Sequence, residues 1–386
     1  MSELFLRIVN MSISASWLVL AVLGLRLVLK KGPKWVHVLL WGIVAVRLLF
    51  PFSIESALSL IPSAETIPAD IGINPTPAIN SGIEVINDLV NPVISHSNTP
   101  ANGTSVNPLQ ITIAVCANIW MLGAAALLIY VIISYWRFHR KVDTAVLLRE
   151  NIFQCETVVS PCVLGIIQPK IYLTFKMDAQ KLEYVIAHEQ AHIRRGDHWW
   201  KLLGFLLLAV HWFNPLVWLA YALLCRDIEF ACDEKVIKEL NHEDRANYTQ
   251  ALVACSMDRR RIAACPVAFG EVGVKLRVKS IMNYQRPPLW MNGLSLILCA
   301  GVAVCFLTNP VKAADILEPG SASREVHSKD IVIPIQALFE ESAEVEIQTK
   351  EPLSIEEIQK MQEELEAELA RRLEEAQQLW EEERNQ

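Results

Sequence analysis

The sequence predicts a membrane protein, mainly α, with four transmembrane helices and an α+β cytoplasmic domain inserted between the third and the fourth. Three observations carry this. Apolar runs recur at residues 5–29, 35–50, 111–136 and 289–307, and about 20 residues rising ~1.5 Å each cross the ~30 Å hydrocarbon core. Basic residues gather at alternate ends of these runs, as the positive-inside rule requires. Between the third and fourth runs, 137–287 is charged and mixed, the size of one small domain. The hydrophobic content of 52% fits that reading. A net charge of -7 is too mild to argue about nucleic acid, and with no basic stripe no direct nucleic-acid partner is expected.

The first run, 5–29, is read as a helix and not a signal peptide, because no small-residue cleavage site follows and a second run starts at once. The basic turn Lys30-Lys31-Gly32-Pro33-Lys34 belongs in the cytoplasm, which puts the N-terminus outside. Arg7 and Arg47 near the outer ends have stems long enough to snorkel. Residues 51–110 hold no Lys or Arg and are rich in Pro, Asn and Ser, an extracytoplasmic loop with room for one short helix. Arg137, Arg140 and Lys141 give run 111–136 its cytoplasmic flank. Residues 154–159, 162–165 and Lys170–Leu173 read as short strands set apart by Pro161 and Pro169. Lys170–Leu173 carries two readings: an edge that pairs with an extended substrate, or a plain structural hairpin.

Residues 199–224 are apolar, but Asn214-Pro215 divides them into pieces of ~14 residues and ~20 Å, too short to cross. They predict a membrane-associated helical hairpin dipping into or lying on the inner leaflet, with His211, Trp212 and Trp218 at the lipid interface. Arg259, Arg260, Arg261, Lys275, Arg277, Lys279 and Arg286 form a basic approach to the fourth run, read as topology determinants. The tail 311–386 is then outside, with strands at 331–335 and 344–349 and an amphipathic helix at 354–384. Ser354 and Glu357 form a capping box for that helix. Its charged surface suits solvent or a partner, a homodimer included. The nine cysteines avoid 51–110 and 313–386 and form no C-x-x-C pair, which fits two segments outside the cell and excludes a thioredoxin-like motif.

The chemistry centres on His188-Glu189-Gln190-Ala191-His192. Two histidines four apart share a helical face, and such a pair supplies two Zn²⁺ ligands. Glu189 between them is placed to take a proton from an attacking water. A chance H-E-x-x-H on a solvated helix is the competing reading. The third ligand is expected from 226–234, where Glu229 completes a His, His, Glu set. Asp233, one turn on, and Asp197 are placed to accept the outer N–H of a ligand histidine. His198 is a candidate transition-state stabiliser or a surface residue.

This order of motifs, continued by Arg195-Gly196-Asp197-His198, Asn214-Pro215 and Glu229-Phe230-Ala231-Cys232-Asp233, resembles the membrane metallopeptidases of the BlaR/MecR family. Ser160-Pro161-Cys162-Val163-Leu164-Gly165 and Pro169-Lys170-Ile171-Tyr172-Leu173 resemble its strand pair before the zinc helix. The likeness runs from Met1 to Pro310 and stops before the tail. It implies a zincin-like (gluzincin) domain and a zinc endopeptidase in a bacterial plasma membrane, multi-pass, with its site in the cytoplasm at the lipid face. It also implies a signal received outside and cleavage of a cytoplasmic repressor or of the chain itself, here within 259–270, with Ala268-Phe269 as candidate bond. β-lactam sensors of the family carry a penicillin-binding domain with an S-x-x-K serine. Residues 313–386 hold no S-x-x-K and are too few for such a domain, so that input is not expected to transfer. A housekeeping membrane protease of the HtpX type and a catalytically silent receptor scaffold are the alternatives. The tail helix argues against the first, the intact Glu189 against the second.

Overall fold

The computed structural model describes residues 1–310 except 52–53, 64, 75–76, 99–107, 159, 176, 178 and 258–273. The candidate cleavage residues Ala268 and Phe269 and the tail with its helix 354–384 lie outside the described residues.

The described chain is mainly helical. α1 (Ser2–Val28) ends in a 3-10 turn at Leu29–Lys31, and α2 (Lys34–Leu49) starts after Pro33, whose missing N–H suits a helix start. α3 (Glu84–Asn98) lies in the loop before α4 (Pro108–Lys141). Among the described residues, three helices are long and apolar enough to cross a membrane: Ser2–Val28, Pro108–Lys141 and Trp290–Leu307. The last lies in α10 (Leu289–Leu307). α2, with 16 residues, is shorter than the ~20 of a full crossing. It runs parallel to α10, with Gly32 against Ser295 at one end and Arg47 donating to Asn309 Oδ1 (3.0 Å) at the other.

After α4 come β1 (Val146–Arg149), β2 (Ile152–Gln154), β3 (Cys162–Leu164) and β4 (Lys170–Leu173). The sheet order is β1-β2-β4-β3, with β2 and β4 parallel and the other pairs antiparallel. The first strand is an addition to the sequence reading, and the second shares only Gln154 with the expected strand 154–159. Gly165 makes the β3–β4 turn at φ +113, where a Cβ would meet Gln168 O at 2.5 Å. β4 is hydrogen-bonded on both sides, so Lys170–Leu173 has no open edge for a substrate. That corrects the edge-strand reading, and the edge beside the next helix belongs to β3.

α5 (Ala179–Arg195) packs Val185 and Ile186 on Ile152, Ile171 and Leu173 of the sheet. α6 (Asp197–Val210) and α7 (Pro215–Ile237) form the hairpin, followed by α8 (His242–Met257) and α9 (Val274–Met282). The hairpin enters the helical bundle. Its buried Phe205, Leu208, Tyr221 and Leu224 share one core with Leu18, Leu40 and Trp41. At its tip, Asn214 Nδ2 donates to Ser12 Oγ and Ser16 Oγ (both 2.8 Å), midway along α1. Trp212 Nε1 donates to Trp120 O (3.1 Å), and a Cβ on Gly123 would meet Trp212 at 2.3 Å, midway along α4. The hairpin therefore reaches the middle of the bundle and turns back. His211 is 1% exposed and Trp212 packs on α4, so these two face the bundle and not the lipid interface.

Candidate metal centre

α5 turns one side inward. Val185 and Ile186 pack on the sheet, and His188, Glu189 and His192, three, four and seven residues on from Val185, adjoin them on that side. All three are buried, Glu189 at 6% exposure. The imidazole Nε2 atoms of His188 and His192 stand 3.1 Å apart. Glu229 on α7 brings Oε2 to 3.6 Å from His188 Nε2 and Oε1 to 3.6 Å from His192 Nε2. A tetrahedron with bonds of ~2.0–2.1 Å has edges of ~3.3–3.4 Å, so these spacings fit three ligands around one zinc-sized ion. Cys232, one turn beyond Glu229, also has a ligand atom within 4.8 Å of those of His188 and His192. His188, His192 and Cys232 thus form a second candidate set.

The outer nitrogens are tied back. Gly196 closes α5 in the left-handed region (φ +68), and the chain turns so that Asp197 opens α6 beside His192. His192 Nδ1 donates to Asp197 Oδ2 at 2.7 Å, and Arg195 Nε donates to the same carboxylate at 3.2 Å. Tyr248 Oη on α8 donates to Asp233 Oδ1 at 2.7 Å, so His188 Nδ1, 2.8 Å from that oxygen, is the donor to it. Asp233 itself is 3.4 Å from His188 Nδ1 and acts on it through Tyr248. When neutral, both rings therefore carry their proton on Nδ1 and turn an Nε2 lone pair to the centre.

Two cations of the chain complete the site. Lys201 Nζ donates to Glu229 Oε1 at 3.0 Å. Arg277 on α9 pairs with Asp233 through Nε (2.8 Å) and Nη2 (2.7 Å), and its Nη1 is 3.2 Å from Glu229 Oε2. The reading of Arg277 as a topology charge is corrected: its side chain is buried in the centre. His198 lies apart, its ring tilted on Trp199 at 5.7 Å, and among the described residues its Nδ1 has no hydrogen-bond partner.

The field at the centre is negative. Burial opposes protonation of His188, but Cys232 and Glu229 outweigh it and push the imidazole up to about 9. His192 is likewise raised, with burial overcome by Cys232, Glu229 and Asp197. Glu229 is held well below the usual carboxylate range: burial works against ionisation, and Lys201, His192 and Arg277 overcome it. A site that retains protons on two buried imidazoles favours a divalent cation for the same electrostatic reason. The donor set, the spacings and the charge therefore all fit a metal ion.

Tyr248 and Lys201 were missed by sequence reasoning. Lys201 had a signal, one helical turn beyond Asp197; Tyr248, 60 residues from His188, had none.

Comparison with known proteins supplies the family. The Methicillin resistance mecR1 proteins of Staphylococcus aureus and Staphylococcus epidermidis are each 24% identical over 201 residues, covering 44% of this chain and 34% of theirs. Regulatory protein BlaR1 of Bacillus licheniformis is 29% identical over 156 residues, covering 39% of this chain and 25% of its own. The match thus spans 25–34% of each relative's length. The BlaR1 peptidase M56 profile matches residues 6–281, from the first turns of α1 to the end of α9, and so encloses every residue of the centre. By this match over most of its length, the chain belongs to the BlaR1 peptidase M56 family.

Proposed function

We propose that the protein is a zinc endopeptidase of the bacterial plasma membrane that transduces an outside signal by cleaving a cytoplasmic repressor or its own cytoplasmic segment. The observation that carries this is the convergence of His188 Nε2, His192 Nε2 and the Glu229 carboxylate at 3.1–3.6 Å, with both outer imidazole nitrogens fixed.

Four crossings are proposed, with α2 as the second. It keeps pace with α10 from Gly32 to Arg47, and flanking residues make up its shortfall in length. The centre is read as cytoplasmic because it lies at the basic end of the bundle. Lys34 N donates to Glu234 Oε2 (2.6 Å), and Arg26 pairs with Asp227 (2.6 Å), both acceptors lying on the ligand helix α7. That places the N-terminus and the tail outside. The surrounding lipid is then a partner of the hairpin's bundle.

Bound zinc would supply Lewis acidity at the scissile carbonyl and make a water acidic near neutral pH. Glu189 takes the proton of the attacking water and delivers it to the leaving amine. Its place on α5 between His188 and His192 suits that traffic. The β3 edge receives the substrate chain in extended form by main-chain pairing. Asp197 and Tyr248 hold the two rings in register throughout.

The test uses the full chain reconstituted in lipid. Glu189→Gln should keep its zinc and lose cleavage by roughly 10²–10⁴-fold, whereas His188→Ala should lose the zinc. Undiminished proteolysis by Glu189→Gln would overturn the reading.

A further inference from the structure

Arg277 reaches the centre from α9, beyond the segment 258–273. One side of its guanidinium makes a two-point pair with Asp233 at 2.8 and 2.7 Å. Nη1 stands 3.2 Å from Glu229 Oε2, and Nη2, one of the two atoms on Asp233, is also 3.3 Å from His188 Nε2. Glu229 Oε2 and His188 Nε2 belong to the set that converges at ligand spacing. Arg277 is 6% exposed, so water does little to screen it, and a guanidinium keeps its charge at any ordinary pH. A permanent positive charge thus stands within contact distance of the atoms that a metal ion would use. In a buried site, a second cation there is repelled strongly.

We propose that Arg277 is a resident counter-cation of the metal centre, which neutralises Glu229 when no metal is bound and sets how tightly the centre takes one. The inference rests on the metal-centre reading. When an ion binds, Arg277 gives up Glu229 Oε2 and His188 Nε2 and keeps Asp233. The contacts divide that way by their own geometry, since the Asp233 pair is short and two-pronged while the others are longer and single. Glu229 is not stranded, because Lys201 remains on its other oxygen. Asp233 keeps its place, so the line through Tyr248 to His188 is preserved. The shift is carried by α9, whose Ile281 is anchored with Ile237 and Tyr248 in the core shared with α7 and α8. Metal affinity and the seat of α9 are therefore linked, and each biases the other.

The experiment uses the full chain in detergent, stripped of metal, with zinc affinity measured against a chromophoric chelator. Arg277→Gln should bind zinc about tenfold more tightly than the parent, and Arg277→Lys, which keeps the charge, within a few-fold of it. Zinc should also raise the thermal midpoint of Arg277→Gln by more than that of the parent, although the metal-free variant starts lower. Equal or weaker zinc binding by Arg277→Gln overturns the proposal. If that variant does not fold, the parent decides: zinc must speed amide hydrogen exchange in α9, and unchanged exchange there overturns the proposal. His188→Ala separates the two claims. If it binds zinc as the parent does, the metal-centre reading falls and takes this one with it. If it loses zinc while the Arg277 variants match the parent, the counter-cation role falls alone.

Discussion

At the scale of single residues, the tautomers of His188 and His192 decide what the centre holds. Each ring has its Nδ1 committed to an acceptor, Tyr248 Oη or Asp197, so each offers Nε2 inward. Tyr248→Phe removes one of those anchors. It takes the 2.8 Å acceptor from His188 Nδ1, while Asp233 Oδ1 keeps Arg277 Nη2, at a cost of about 1–3 kcal/mol. Zinc affinity should fall about 10–100-fold with the fold retained, as chelator competition and thermal melting will read; parent-like affinity would remove Tyr248 from the centre. The raised imidazoles give a pH dependence with a definite sign. A proton held up to about 9 on His188 stabilises the metal-free fold fully below the unfolded value of ~6.5, and that stabilisation is lost as pH rises through about 9. Zinc must expel the inward proton that the two imidazoles share, since their Nε2 atoms stand 3.1 Å apart. Apparent affinity should therefore rise from pH 6 to 8, with net proton release on binding in calorimetry across buffers of different ionisation enthalpy. No proton release would contradict the assignment. The histidine pair was legible in the sequence because an i, i+4 spacing is a local pattern. Tyr248 and Arg277 were not, being common residue types 60 and 89 positions from His188, brought to it by packing alone.

At the scale of elements, the hairpin shows what hydropathy conveys and what it omits. Asn214-Pro215 announced a break, and α6 and α7 do part there. Apolar composition, however, is the same for a side chain facing lipid and one facing another helix. His211 and Trp212 were thus assigned to the interface and proved to face the bundle. The sheet repeats the lesson. Two strands, Cys162–Leu164 and Lys170–Leu173, were legible from Pro punctuation and β-branched residues, but which of them has an open edge depends on strand order, which no local pattern encodes. Asn214 ties both limbs of the hairpin to the bundle. Its Oδ1 caps Leu216 N at 2.9 Å, and its Nδ2 reaches Ser12 and Ser16. Asn214→Ala loses an N-cap worth ~1 kcal/mol and interhelical bonds of a similar size. The expected loss of about 2 kcal/mol should appear in reversible unfolding in mixed micelles, with zinc affinity close to that of the parent because the centre lies four turns away along α7. Unchanged stability would mean that the tip is not held by this side chain.

At the scale of the whole molecule, α7 is the member that joins the bundle to the chemistry. It runs unbroken from Pro215 to Ile237, beginning inside the bundle and ending in the centre. Asp227 takes Arg26 from α1 (2.6 Å) and Trp41 Nε1 from α2 (2.8 Å), and Glu229 follows two residues later. Glu234, at the far side of the ligands, receives Lys34 N. A displacement of α1 and α2 is therefore passed to Glu229 through less than one helical turn, with no flexible joint between. Breaking the grip on one side should be costly, because the side chains of Arg26 and Asp227 are only 12% and 2% exposed. Asp227→Asn leaves Arg26 without its counter-charge, and the expected loss is about 3–5 kcal/mol. Replacing both partners with apolar residues, as in Arg26→Met with Asp227→Leu, should recover part of that stability, the remainder being lost with the acceptor of Trp41 Nε1. The double variant then isolates the coupling. In the parent, zinc should slow amide exchange at residues 29–34, because fixing Glu229 fixes α7 and so the turn that α7 holds. In the double variant the centre should still load, and that distant protection should shrink although the Lys34 contact remains. Equal protection in both proteins would show that the grip at Asp227 transmits nothing. A difference would identify this buried pair as a joint through which a signal arriving at the bundle reaches the ligand Glu229.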